Sequence, residues 1–162
     1  MNMKRLHSLG LHFLVIEGAL ISTPTVWAAG PTASEEPTIG SLTPAEVASG
    51  ALTPQVQGGV HFVSGGIGIE ERAWLAAHAR EFSTHLTFAV VPGGEFIADV
   101  PVRISDAKGT PILEATSDGP QMFVQLPAGH YQVEATHDGQ TIKRSFTVAD
   151  KRSVQITIGF KK

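Results

Sequence analysis

The chain contains no cysteine in 162 residues. That excludes disulfide staples, thiolate catalysis, cysteine-held metals and lipid attachment through a cysteine. Aromatic residues are scarce at 7%, and Tyr131 is the single tyrosine. A sugar platform of several exposed rings therefore has few residues to draw on. Charge is sparse as well: Asp, Glu, Lys and Arg make up 17%, with a formal net charge of −3. That mild acidity argues against nucleic acid or an anionic membrane as partner. Long hydrophobic runs are also missing. The best candidate, Leu9 to Ile21, is interrupted by Glu17 and Gly18, short of the roughly 20 apolar residues a spanning helix needs.

What that N-terminal stretch does resemble is an export signal. Lys4 and Arg5 supply a positive start, Leu9–Ile21 the apolar stretch, and Val26-Trp27-Ala28 the small residues before a cut between Ala28 and Ala29. Glu17 sits awkwardly inside that apolar stretch. Residues 1–28 are thus expected to be a cleaved signal peptide, making the mature protein periplasmic or secreted, with no stable membrane insertion. Residues 29–57 are rich in Pro, Thr, Ser, Ala and Gly. Such a composition buries little apolar surface and predicts a flexible spacer. Within it, Thr43-Pro44-Ala45-Glu46-Val47 can start one helical turn, with proline at its first position.

Residues 58–83 predict a short strand or extended entry (Gly58–Ser64), a turn at Gly65-Gly66-Ile67-Gly68, and an amphipathic helix from Ile69 to about Ser83. Trp74, Leu75, His78, Ala79 and Phe82 share one arc of that helix, and Ala73 falls outside it. Trp74 is expected to dock the helix on a sheet.

From Thr84 onward the period becomes two. Leu86/Phe88/Val90, Val100/Val102/Ile104 and Met122/Val124/Leu126 each alternate with a second set of residues, and Gly, Asp and Pro turns separate the runs. The clearest signal is Tyr131 to Thr136 followed by His137-Asp138-Gly139-Gln140, an Asp-Gly hairpin turn between alternating strands. Seven strands at this spacing predict a mainly β, antiparallel β-sandwich over residues 84–162, preceded by one helix. Two segments are candidate sheet edges, about Leu86–Val91 and Val154–Gly159.

The order Ala98-Asp99-Val100-Pro101-Val102-Arg103-Ile104, Asp106-x-x-Gly109, Thr116-x-Asp118-Gly119 and Leu126-Pro127-x-Gly129-x-Tyr131-x-Val133, with a late Val148, resembles the carboxypeptidase regulatory-like (transthyretin-like) family. It is similar in particular to an exported bacterial subgroup of unassigned role. The resemblance covers roughly residues 84–160. It implies a transthyretin-like sandwich in a group whose members are mostly non-catalytic, among them stabilising, adhesion and carbohydrate-binding-like modules. It also implies that Tyr131 is a core corner whose hydroxyl bonds nearby backbone.

Motifs for chemistry are thin. Gly65-Gly66-Ile67-Gly68 ahead of a helix invites a phosphate loop. However, a dinucleotide fingerprint starting at Gly66 needs glycine where Glu71 stands, no Gly-Lys-Ser/Thr follows, and Glu70 and Glu71 would repel the anion. His61, His78, His85, His130 and His137 form no zinc-type spacing. Asp106 and Asp118 have turn chemistry rather than the spacing of a calcium loop. Two enzymatic relatives of the resembled fold also fit poorly. Hydroxyisourate hydrolases end in Tyr-Arg-Gly-Ser, where this chain ends Gly159-Phe160-Lys161-Lys162. Intradiol dioxygenases need two tyrosines. Serines are present without a Gly-x-Ser-x-Gly elbow.

The sequence thus predicts no enzyme, no catalytic residues, no metal and no cofactor. The expected function is a non-catalytic interaction or structural module meeting another envelope protein. The alternative is a carbohydrate-binding module for peptidoglycan or exported polysaccharide. Phe123, Trp74 and Phe96 are the residues expected to meet a ligand or partner. Phe123 draws the most interest because it faces away from Met122, Val124 and Leu126, unless the helix covers it.

Overall fold

The computed structural model describes Gly40 and residues 42–162. The expected signal peptide, its cleavage site and the first part of the spacer lie outside the described residues. Two helices and nine strands follow in the order α1 (Pro44–Ser49), β1 (Gln55–Gln57), β2 (Val60–Gly65), α2 (Ile69–His78), β3 (Thr84–Val91), β4 (Val100–Asp106), β5 (Pro111–Ser117), β6 (Gln121–Gln125), β7 (Gly129–His137), β8 (Gln140–Val148) and β9 (Val154–Lys161).

The strands form a mainly β sandwich of two sheets. One has the order β1-β2-β6-β3-β9 and the other β5-β4-β7-β8. The seven strands expected from residue 84 onward are β3 to β9, in the expected order. The four-stranded sheet is antiparallel throughout, built on the β4–β5 and β7–β8 hairpins. Asp138 and Gly139 both have positive φ, at 47° and 76°, the two-residue geometry that matches strand twist. The five-stranded sheet departs from the antiparallel expectation at one place. β3 pairs β9 in parallel, from Thr84↔Val154 to Val91↔Lys161. A parallel pair needs a crossover, and here the other sheet supplies it.

The interior alternates as the period predicts. Leu86, Phe88, Val100, Val102, Ile104, Met122, Val124, Val133, Ile158 and Phe160 form one buried cluster between the sheets. The far side of the five-stranded sheet carries a second cluster of Val63, Leu75, Phe82 and Phe123, with Leu52, Trp74 and Ala79 against it. Helix α2 is the third layer. It gives way to a 3₁₀ turn at Ala79–Glu81, earlier than the expected end near Ser83. Leu75, fully buried, is its docking residue; Trp74 is half-buried beside it.

The flexible spacer expected over 29–57 is corrected by the structure from residue 42 on. Thr43 caps α1 in a reciprocal box with Glu46, whose carboxylate accepts from the Thr43 N–H at 2.7 Å. Gly50 then lies so close to α2 that an added Cβ would sit 2.3 Å from the Glu70 carbonyl carbon. This packing accounts for buried Ala73, which the helical wheel placed outside the apolar arc. Composition missed the segment because capping, a close glycine contact and the packing of Leu52 on the second cluster order it.

Candidate interaction edge

Four strands bound the two sheets, and the structure treats them differently. β5 is covered. Gln57 on β1 accepts the outward Glu114 N–H at 2.6 Å, and the Gly58 turn lies against the Ile112 carbonyl. β1 itself is only three residues long, a common way to blunt an edge.

β8 and β9 bound the opposite side. Of the two candidate edges, Leu86–Val91 is interior, held between β6 and β9, and residues 154–159 form the edge. The direction of the β9 backbone follows from one bond, Val154 N–H to the Ser83 carbonyl at 2.9 Å. In a parallel ladder, alternate residues bond the same neighbour. Val154, Ile156, Ile158 and Phe160 therefore bond β3, while Gln155, Thr157, Gly159 and Lys161 present N–H and C=O outward. The Lys161 N–H donates to the Gln140 side-chain oxygen at 3.1 Å, and its carbonyl accepts from the Gln140 amide nitrogen. Gln140 thus closes the last position. Three residues, Gln155, Thr157 and Gly159, keep edge groups unpartnered among the described residues. No residue from Ser153 to Phe160 is charged or proline, so this edge lacks the usual guards against strand pairing.

The three aromatic candidates do not converge. Phe123 is 7% exposed, stacked on His85 with ring centres 4.1 Å apart, beneath the 3₁₀ turn whose Ala79 carbonyl His85 Nε2 meets at 2.9 Å. Its expected role as a contact residue is therefore corrected: the five-stranded sheet is covered on both faces here, so the side opposite Met122 and Val124 is also interior. Trp74 stacks on His78 at 4.0 Å along the flank of α2. Phe96 alone is open, 63% exposed, on a segment that bridges to Ala89.

The outer face of the four-stranded sheet is polar. Register lines up Glu114, Arg103, Glu134 and Lys143 across β5, β4, β7 and β8. Arg103 pairs Glu114 at 3.3 Å and Lys143 pairs Glu134 at 2.8 Å. A groove of about 730 Å³ runs past this row to Asp106, His130 and Tyr131. Its groups are largely occupied with each other. Asp106 accepts from the Thr110 and Lys108 N–H groups at 2.9 and 2.8 Å; the Thr110 bond is the main reason its carboxyl is held below the ordinary range. Tyr131 donates to the Pro127 carbonyl at 3.0 Å, the corner expected of it, and burial followed by the nearby Asp106 charge raises its phenol.

The glycine-rich turn likewise holds its own anion. The Glu71 carboxylate accepts from the Gly66 and Ile67 N–H groups at 2.8 and 3.0 Å, the place a phosphate would take. Among the described residues, no group of three or more His, Asp or Glu is arranged to hold a metal, and no helix is long and apolar enough to cross a membrane.

The sandwich can now be set beside known proteins. A family model described as the Rhizobiales growth-associated tandem repeat domain matches residues 84–159, spanning β3 to nearly the end of β9. It covers the residues whose motifs resemble the carboxypeptidase regulatory-like family, and it does not itself name that family. A search of the curated proteins finds no match. Among solved structures, the chain is similar to the 5-hydroxyisourate hydrolase of Klebsiella pneumoniae, at 13% identity over 48% of this chain and 88% of that one, with a TM-score of 0.40. It is also similar to S.CueP, at 17% identity over 45% of this chain and 59% of that one, with a TM-score of 0.36. Neither likeness assigns an activity.

Proposed function

We infer that the protein is an exported, non-catalytic interaction module of the cell envelope, which binds an extended segment of another protein by adding it to β9 as a further strand. The observation that carries this reading is the outward N–H and C=O groups of Gln155, Thr157 and Gly159 on a strand with no charge or proline before Lys161. In strand addition, main-chain bonds give affinity and flanking side chains give selectivity. The export-signal pattern of residues 1–28 supports an envelope location, and the resemblance to carboxypeptidase regulatory-like modules supports a role without catalysis. The polysaccharide alternative loses its support where Phe123 is buried and Trp74 is engaged by His78.

The test exploits backbone direction. The Thr157 N–H faces outward, so Thr157→Pro removes an edge donor and leaves every bond to β3 in place. With a photo-crosslinker at Gln155 in intact cells, adducts are expected from the native chain and absent from the Thr157→Pro protein, with circular dichroism unchanged. Adducts of equal yield in both would remove β9 from the interface.

A further inference from the structure

Charge is distributed unevenly along the chain. Residues 140–162 hold six of its twelve Lys and Arg, and Asp150 alone of its fifteen Asp and Glu. These six cations sit on β8, on the loop that follows it, and at the end of β9 or, for Lys162, just past it. Lys151 and Arg152 precede the uncharged stretch of β9, and Lys161 and Lys162 follow it. Arg144 shares the parity of Ile142, Phe146 and Val148, which turn toward the other sheet, yet it is exposed because β8 is an edge. It lies midway between Gln140, bonded to Lys161, and Val148, where the loop to β9 begins. Lys143 and Lys162 are paired with Glu134 and Glu95. Among the described residues, Arg144, Lys151, Arg152 and Lys161 have no carboxylate within ion-pair distance.

We propose that the β9 edge accepts an extended segment with an uncharged, strand-forming centre and acidic residues at both ends. This rests on the strand-addition reading and names the chemistry of its partner. The spacing follows from the strand: Arg152 and Lys161 are nine residues apart, about 30 Å at roughly 3.3 Å per residue, so the two acidic ends lie about nine residues apart. Acids at the start would meet Lys151 and Arg152, with Asp150 and Glu81 bordering the same cleft alongside Arg80. Acids at the far end would meet Lys161. A second copy of this chain is the wrong occupant. Antiparallel pairing of two β9 strands sets Lys151 and Arg152 against Lys161 and Lys162, and parallel pairing sets each cation beside itself. Like charges directly opposed across strands are destabilising.

The test uses the full chain and three synthetic peptides sharing a Val–Thr core, flanked at both ends by Glu, Ser or Lys, read by fluorescence anisotropy. The Glu-flanked peptide is expected to bind about tenfold tighter than the Ser-flanked one and the Lys-flanked peptide weakest, with the difference shrinking as salt shortens the Debye length from about 10 Å to 3 Å. The triple substitution Arg144→Glu, Lys151→Glu, Arg152→Glu should invert the order, with Thr157→Pro abolishing binding of all three. Equal affinities that Thr157→Pro abolishes would overturn the acidic partner and leave strand addition standing. No binding by any peptide, or charge-dependent binding that survives Thr157→Pro, would overturn both. A dimer by sedimentation that Thr157→Pro dissociates would assign the edge to a second copy and overturn the acidic partner.

Discussion

The two long sides of the sandwich meet the same problem with opposite solutions. On one side β5 is covered by Gln57, the last residue of the segment that composition marks as spacer, and by the Gly58 turn that follows it. On the other, β9 is closed by Gln140 at one position and left open at three. In both places the closing group is a glutamine side chain, whose amide can satisfy a backbone donor and acceptor as a neighbouring strand would. The difference shows that edge protection was available to this fold and was applied selectively.

The sharpest way to break the comparison is to place proline on successive β9 residues. Ile158 is fully buried and its N–H bonds β3, so Ile158→Pro should cost more than about 3 kcal/mol and prevent folding. Thr157→Pro should cost about 1 kcal/mol or less in urea unfolding, because the lost donor is an edge donor. Comparable losses would place both N–H groups inside the sheet and remove the open edge.

On the covered side, Gly50→Ala drives a Cβ into the Glu70 backbone and should cost about 1–3 kcal/mol, with α1 detaching from α2. Protease cleavage between Gly40 and Leu52 would report that detachment. Gln57→Ala should cost about 1 kcal/mol and speed exchange of the Glu114 amide. Unchanged exchange would mean that the turn alone shields β5. The smallest effect belongs to Gln140→Ala, roughly 0.5 kcal/mol. It should speed exchange of the Lys161 amide and lengthen the open edge by one residue.

The strands were legible because alternation and turn residues are local. Pro127-x-Gly129 and Asp138-Gly139 announce β7 and β8, and Val133 and Ala135 fall on the buried face that the pattern assigns them. Neighbour order was not legible. Period two says which residues share a face, but nothing in Leu86–Val91 separates an interior strand from an edge. Phe123 was misjudged for a related reason: its pattern states that it faces away from Met122, and only the position of α2 decides whether that side meets water. The open edge had one sequence signal, the absence of charge from Ser153 to Phe160, and basic residues bracket it in plain view. The covering role of Gln57 had none, because a lone glutamine amide leaves no periodic trace.

The parallel β3–β9 pair also sets an order of events. Each of its partner pairs is 70 residues apart, as in Thr84↔Val154, whereas β7 and β8 meet across a two-residue turn. Hairpins close in microseconds, while distant pairings must first overcome the entropy of closing a long loop. The four-stranded sheet is therefore expected to form early and the five-stranded sheet late. Refolding kinetics would show this as truncation at Val133 slowing folding and truncation at Ile158 mainly speeding unfolding. Until β9 arrives, β3 has no partner on that side and half the interior stays wet. A chain built this way remains threadable for longer than its local hairpins suggest.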